Sequence, residues 1–254
     1  MMRMTRLERD SSAPLYLQLK ERLKLQIQSG AYPAGGRLPS ERELAHQYGI
    51  SRLTARQALQ TLIADGLAYS QIGKGTYVSA PKIDDQLQFL TSFSELMRRR
   101  GMTPSSRVIR ASVEPVDDFV TSQLQIPAGT PVIVLRRVRL ADGEPLALET
   151  ACLVEQMCPG ILGGRDFSRE SLYEVLRRDY GVILVRANEV IEARLPDAHE
   201  HLLLELERHM PVLSISRLTF TERGEPIEYV RAAYRGDKFQ LRVSLKRTNE
   251  THPY

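Results

Sequence analysis

The 254 residues predict two domains: a winged helix-turn-helix module, mainly α with a β wing, followed by an α+β domain built on an antiparallel sheet. Three observations predict this. Helix caps and turn residues between Leu38 and Val78 frame two short helices and a Gly-Lys-Gly hairpin. Farther on, two Pro-Val strands each run into a Gly-Glu-Pro turn and a second strand, a degenerate internal repeat. Charge also divides the chain, since residues 1–80 hold 11 basic and 6 acidic side chains and the remainder 24 and 25. A basic module favours phosphate contact, whereas a near-neutral remainder has no need of it.

Leu15, Leu19, Leu23 and Ile27 recur every four residues from Pro14 to Gln28, which marks a buried helix. Ser40 and Glu43 form a capping box, so the next helix starts at about Glu41. Gly49 can take the left-handed conformation that stops it and Ser51 can cap its successor, leaving about three residues between the helices, the spacing of a helix-turn-helix. The second helix runs from Arg52 to about Asp65, with Ala55, Ala58, Leu59, Leu62 and Ile63 as its core side and Gly66 beyond its end. Arg52, Thr54, Arg56 and Gln57 cluster in its first two turns, where such a helix presents side chains to base edges. Leu67–Ile72 and Thr76–Ser79 then read as strands of a wing, joined through Gly73, Lys74 and Gly75.

The run LPSERELAHQYGISRLTARQALQTLIADGLAYSQIGKGTYV resembles the N-terminal module of the GntR family of bacterial transcription regulators, over about Pro14 to Val78. The resemblance implies contacts to double-stranded operator DNA from Ser40, Arg42, Ser51, Arg52, Thr54, Arg56, Gly73, Lys74, Gly75 and Thr76. Base reading is expected at Arg42, Arg52 and Gly73.

Module boundaries of 1–79 and 89–248 are expected, with 80–88 a short polar linker containing Pro81. The repeat comprises TPVIVLRRVRLADGEPLALE at Thr130–Glu149 and MPVLSISRLTFTERGEPIEY at Met210–Tyr229, each a hairpin. Helices are expected at Ser171–Tyr180 and Asp197–Leu206, and further strands at Arg107–Val116, Val182–Ala193 and Lys238–Leu245. Many strands, short turns and few helices make an α+β domain.

Arg137 and Arg139 stand two apart on a strand, on the face that also carries Ile133 and Leu135. Two arginines on a half-buried face need anionic company. A three-residue turn at Asp142–Glu144 puts Glu149 opposite Arg137, and a two-residue turn puts it opposite Arg136. Cross-strand ion pairs and an anion pocket both follow from this pattern.

Phe89–Pro104, RRVRLADGEPLALE, SLYEVL at Ser171–Leu176 and PIEYVRAAYRGDKFQL together resemble the UTRA ligand-sensing domain of the HutC subfamily of GntR regulators. That implies a chorismate-lyase-like α+β fold and a small anionic effector. The matching positions are Phe93 and Ser94 at a helix start, the cations Arg137 and Arg139, the hydroxyls of Ser171 and Tyr173, and the polar groups of Glu149, Glu228 and Tyr234. The set is similar to that of members sensing phosphorylated sugars, amino sugars among them; a small carboxylate such as urocanate could use the same arginines. A homodimeric repressor on a two-fold operator is the implied mode of action, with ligand either releasing or tightening DNA binding.

Other classes are disfavoured. No nucleophile with an adjacent base, no metal set and no cofactor fingerprint is evident, so neither catalysis nor a cofactor is expected. His199 and His201 are two apart on a helix and point apart, and Arg98, Arg99 and Arg100 complement a helix end. Cys152 and Cys158 suit neither a zinc spacing nor a disulfide framework. No apolar run of some 18 residues is present and Arg3, Arg6, Glu8, Arg9 and Asp10 are unlike a secretory signal, so a cytoplasmic protein with no membrane partner is expected.

Overall fold

The computed structural model describes residues 7–8, 11–71, 73–79, 82–86, 89–206 and 209–245. They fall into two compact units, Met1–Lys82 and Ile83–Tyr254.

In the first unit, α1 (Leu15–Gln28), α2 (Glu41–Tyr48) and α3 (Arg52–Ala64) pack around Leu19, Leu23, Leu38, Leu44, Leu59 and Leu62. Both ends of α2 and the start of α3 have local causes. Ser40 Oγ accepts from Glu43 N at 3.3 Å while Glu43 Oε2 accepts from Ser40 N at 2.7 Å. Gly49 ends α2 with φ 63°, and Ser51 Oγ then accepts from Thr54 N at 3.0 Å. Ser40→Ala removes one side of this box and is expected to cost about 1 kcal/mol, read as a lower urea midpoint of the first transition of the full-length protein.

The wing strands β1 (Ala68–Gln71) and β2 (Gly75–Val78) pair antiparallel, with Tyr69 stacked on Tyr77. They are shorter than the expected runs, and Ile72 lies outside the described residues. Leu38 N donates to Thr76 O at 2.8 Å and Val78 N to Gly36 O at 2.8 Å, so the segment before α2 lies along β2 and ties wing to helix pair.

The segment expected to be a linker contains a strand. β3 (Ile83–Gln86) pairs in parallel with β10 (Phe239–Arg242), and Ile83 is buried with Phe239, Phe93 and Met97. Its partner lies more than 150 residues away in sequence, a pairing that the polar composition of 80–88 does not signal. Ala80, Pro81, Leu87 and Gln88 are outside the described residues.

The rest of the second unit comprises α4 (Phe93–Arg99), β4 (Pro104–Pro115), α5 (Asp118–Gln123), β5 (Pro131–Ala141), β6 (Glu144–Val154), α6 (Leu172–Tyr180), β7 (Leu184–Arg194), α7 (Ala198–Leu203), β8 (Val212–Thr221) and β9 (Pro226–Arg235). A single 3-10 turn at Glu155–Met157 follows β6. The six-stranded sheet is antiparallel throughout, in the order β4-β5-β6-β9-β8-β7. The internal repeat thus becomes two three-stranded meanders joined through β6 and β9. It extends beyond the hairpins, because α4-β4-α5-β5-β6 and α6-β7-α7-β8-β9 have the same element order. One face of the sheet buries Ile133, Leu135, Ala151, Leu153 and Val230 with Leu172, Val175 and Leu176 of α6. The other packs Val134, Cys152 and Tyr229 with Val120 of α5.

One helix is new and several ends differ from expectation, among them β4, which starts at Pro104 and not Arg107, and β7, which runs over Leu184–Arg194. α5 was not foreseen: Asp117 caps it, its Oδ1 accepting from Val120 N at 2.9 Å, but six residues are too few for a periodic signal. α7 stops at Leu203 and not Leu206, because Glu205 turns to φ 52°. β10 ends at Arg242 and not Leu245, where pairing to the four residues of β3 runs out.

The β5–β6 register is reached by a route outside both turn alternatives. Ala141 pairs with Glu144 across a two-residue turn, with φ 51° at Asp142 and 83° at Gly143, as an Asp-Gly type I′ turn requires. A bulge then adds one residue, so Leu140 pairs with Pro145 while Arg139 pairs with Ala147 and Arg137 with Glu149.

Candidate functional site

On the first unit, Arg42, Ser51, Arg52, Arg56, Gly73 and Lys74 are exposed, and Ser40, Thr54, Gly75 and Thr76 are half-buried. Not all are free to reach outward. Arg56 grips Glu41 with both ends of its fork, Nε to Oε1 at 2.8 Å and Nη2 to Oε2 at 3.0 Å, which braces α3 against the start of α2. Thr54 Oγ1 lies 2.8 Å from Ser51 Oγ. Arg37, absent from the sequence-based set, lies beside the wing: a Cβ on Gly75, whose φ is 119°, would come within 3.1 Å of its Nε. Arg37 aligns with Tyr77 through an isolated bridge, a pairing with no local sequence signal.

The second unit encloses a small cavity on the inner face of the sheet, with about 40 Å³ of free volume. Phe93, Arg137, Arg139, Glu149, Ser171, Tyr173, Glu228 and Tyr234 line it. They come from both repeats and from the starts of α4 and α6. Ser94 stands behind the wall, where its Oγ accepts from Arg139 Nη2 at 3.1 Å, and the Phe93 ring lies 4.6 Å from the same guanidinium. These two residues therefore fix Arg139.

Burial and pairing set the electrostatics. Arg137 and Arg139 are only 2% and 3% exposed. Arg137 Nη2 donates to Glu149 Oε1 at 2.5 Å, and Arg139 Nη1 lies 3.6 Å from that oxygen. Burial pulls the Arg139 pKa down to about 10 despite Glu149, which leaves it cationic at neutral pH. For Glu149, burial acts upward, but the two arginines outweigh it and hold the carboxyl below its ordinary value. Glu228 goes the other way: burial raises its pKa although Tyr173 donates to it at 2.7 Å and Thr219 at 3.1 Å. Burial also raises Asp85 on β3. Burial thus disfavours the charged form of both of these carboxyls.

Arg137 Nε and Nη1, Arg139 Nε and Ser171 Oγ are buried without a hydrogen-bond partner. Ser171 stands at the N-cap of α6 yet its side chain makes no capping bond. Buried donors are nearly always satisfied, and each one left unpaired costs about 1–3 kcal/mol, more where charged. These four atoms belong to three residues that line one cavity. Because folded Glu228 keeps its proton to a higher pH than the unfolded chain does, this residue's contribution to stability declines as pH rises from the ordinary glutamate range through the folded value. Glu228→Gln should abolish that decline, seen as a smaller gap between urea midpoints at about pH 5 and about pH 8.

Arg217 and Asp85 also line the cavity and were missed by sequence reasoning. Arg217 pairs with Glu189 of β7. The repeat carried the signal, since Arg217 occupies in MPVLSISR the place of Arg137 in TPVIVLRR. The same duplication sets Ser92-Phe-Ser-Glu beside Ser171-Leu-Tyr-Glu, the caps of α4 and α6. Asp85 gave no such signal, because its place depends on β3 pairing with β10.

A winged helix-turn-helix module followed by an α+β domain with a polar cavity defines a transcription regulator of two-domain plan. The chain belongs to the gntR family of bacterial regulatory proteins, whose model matches residues 15–78, and carries a UTRA domain over residues 99–240, as HutC-type members do. It is 37% identical over 233 residues to the HTH-type transcriptional repressor NagR of Bacillus subtilis, covering 92% of this chain and 95% of that one. It is 30% identical over 234 residues to the mannosyl-D-glycerate transport/metabolism system repressor MngR of Escherichia coli, covering 92% and 97%. The crystal structure of PhnF from Mycobacterium smegmatis matches with a TM-score of 0.65 and 31% identity, covering 89% of this chain and 99% of that one. The protein is a transcriptional repressor of the GntR/UTRA type and not an enzyme. Among the described residues no helix is long and apolar enough to cross a membrane.

Proposed function

We propose that this repressor binds a two-fold operator as a cytoplasmic homodimer and is released from it by a small anionic effector, a phosphorylated sugar or amino sugar, held in the second unit. Residues 1–79 serve as the DNA-binding domain and 89–248 as the effector and dimerisation domain. Operator contacts come from Ser40, Arg42, Ser51, Arg52, Thr54, Arg56 and the wing at Gly73, Lys74, Gly75 and Thr76. The effector lies among Phe93, Ser94, Arg137, Arg139, Glu149, Ser171, Tyr173, Glu228 and Tyr234.

One observation carries the effector class: the unpaired donors of Arg137, Arg139 and Ser171 converge on one cavity, a planar-fork and hydroxyl set suited to phosphate or carboxylate oxygens. Glu149, Glu228 and Tyr173 supply acceptors and donors for sugar hydroxyl and amide groups. The name of one relative ties it to mannosyl-D-glycerate, a carboxylated sugar derivative. A free volume of about 40 Å³ holds only a few waters, so a sugar phosphate must displace the wall to enter, and that displacement supplies the difference between two states that coupling requires. A coupling of about 1–3 kcal/mol suffices to change operator occupancy many-fold.

The test is fluorescence anisotropy of the full-length protein on its own upstream DNA, with sugar phosphates, amino-sugar phosphates and small carboxylates including urocanate added in turn. Release by a sugar phosphate, lost in Ser171→Ala with DNA affinity kept, supports the reading. Release by a carboxylate alone reassigns the class, and tighter binding with ligand reverses the sign.

A further inference from the structure

The side of α3 turned away from the core begins with an apolar residue. Ala55, Ala58, Leu59 and Leu62 are the buried residues of this helix. At 3.6 residues per turn, Leu53 and, one turn on, Gln57 stand on the opposite side. Leu53 is 71% exposed and has no place in the core cluster of its unit. It lies among polar residues in the first turn, between Arg52 and Thr54, on the helix whose start a winged module presents to base edges. Thr54 and Arg56 are held inside the unit by Ser51 and Glu41. Among the described residues the Gln57 side chain makes no hydrogen bond, and it is exposed. Besides Ser51, Thr54 and Arg56, which already have partners within the unit, α3 offers outward at its start a cation, Arg52, an isobutyl group and a carboxamide.

Within the major groove the apolar feature of a base edge is the C5-methyl of thymine, and the group a carboxamide fits in bidentate fashion is the N6/N7 edge of adenine. We infer that Leu53 reads a thymine methyl group in each half-site, with Gln57 one turn farther along the same side facing an adenine edge. Leu53 is thus a specificity-determining residue, and it confers an A·T preference beside the guanine reading open to Arg52. The inference depends on the DNA-binding role of the module and on nothing in the effector domain.

Duplexes selected by the full-length protein from a random-sequence pool supply the probe, and their recovery reports the DNA-binding role separately. Each dT of the selected site is replaced in turn by dU, which lacks only the methyl group, and affinity is measured by anisotropy. The wild type should lose about four-fold at one dT per half-site, the equivalent of about 0.8 kcal/mol for one methyl-sized contact. Leu53→Ala should bind the parent duplex as weakly as the wild type binds the substituted one, and should not distinguish dT from dU there. Its unfolding midpoint should not move, because the side chain is solvent-exposed in the free protein. A wild type indifferent to every dT-to-dU replacement, or a Leu53→Ala variant that keeps the wild-type dT/dU ratio, overturns the inference and leaves Leu53 a solvent-exposed helix residue only.

Discussion

Replacing Arg139 with Ala should abolish the response to effector, weakening it by at least about 100-fold, while operator affinity is kept and folding stability falls by less than it does in Arg137→Ala. Arg137→Ala should instead cost about 3–5 kcal/mol of stability. The two arginines share a strand face and a carboxylate, but not equally. Arg137 makes the close bond to Glu149 at 2.5 Å, whereas Arg139 lies 3.6 Å from the same oxygen and is held mainly by Ser94 and the Phe93 ring. Losing Arg137 leaves a buried carboxylate with only the longer contact to Arg139. Losing Arg139 relieves repulsion between two buried cations and leaves Glu149 with its nearer partner. Urea unfolding of the full-length variants reads the stability difference, and anisotropy with an active sugar phosphate reads the response. A responsive Arg139→Ala protein would assign Arg139 to the scaffold.

In the DNA-binding unit, Arg52→Ala should lower operator affinity by about 10- to 100-fold and relax the preference for one base pair, the loss of about 1–3 kcal/mol typical of a bidentate base contact. Arg52 is exposed at the first position of α3, where it can reach a guanine edge. Lys74→Ala, at the tip of the wing, should weaken all sequences alike and flatten the slope of log affinity against log salt by about one. Affinities across a salt series, on the selected duplex and on one with a single altered base pair, separate the two. Equal losses on both duplexes for Arg52→Ala would reduce it to a phosphate contact. Arg56→Ala should differ again: its fork holds Glu41 across a solvent-exposed surface, so stability changes by less than about 1 kcal/mol.

Much of the DNA-binding unit was legible because its causes are local. The bond from Ser40 to Glu43, the left-handed Gly49 and the bond from Ser51 to Thr54 each act within a few residues, so the sequence states them directly. Arg37 was missed since it reaches the wing by pairing with Tyr77, some forty positions on. In the second unit the Pro-Val and Gly-Glu-Pro repeat announced both hairpins, and strand alternation put Arg137 and Arg139 on one face.

By itself, then, the sequence determined most element types, α5 and β3 excepted, the two-unit plan and the side of the sheet on which the cations lie, because caps, turns and period-two alternation operate over a few residues at a time. Only the tertiary structure decided what those cations meet. A bulge at Pro145 and Leu146, and not the turn length, sets Arg137 against Glu149. Parallel pairing of β3 with β10 brings Asp85 to the cavity, and the join of β6 to β9 brings Glu228 and Arg217 to the same wall as Arg137. Contacts between residues so far apart are chosen by the packing of whole elements, where the burial of many side chains outweighs the preference of any one segment.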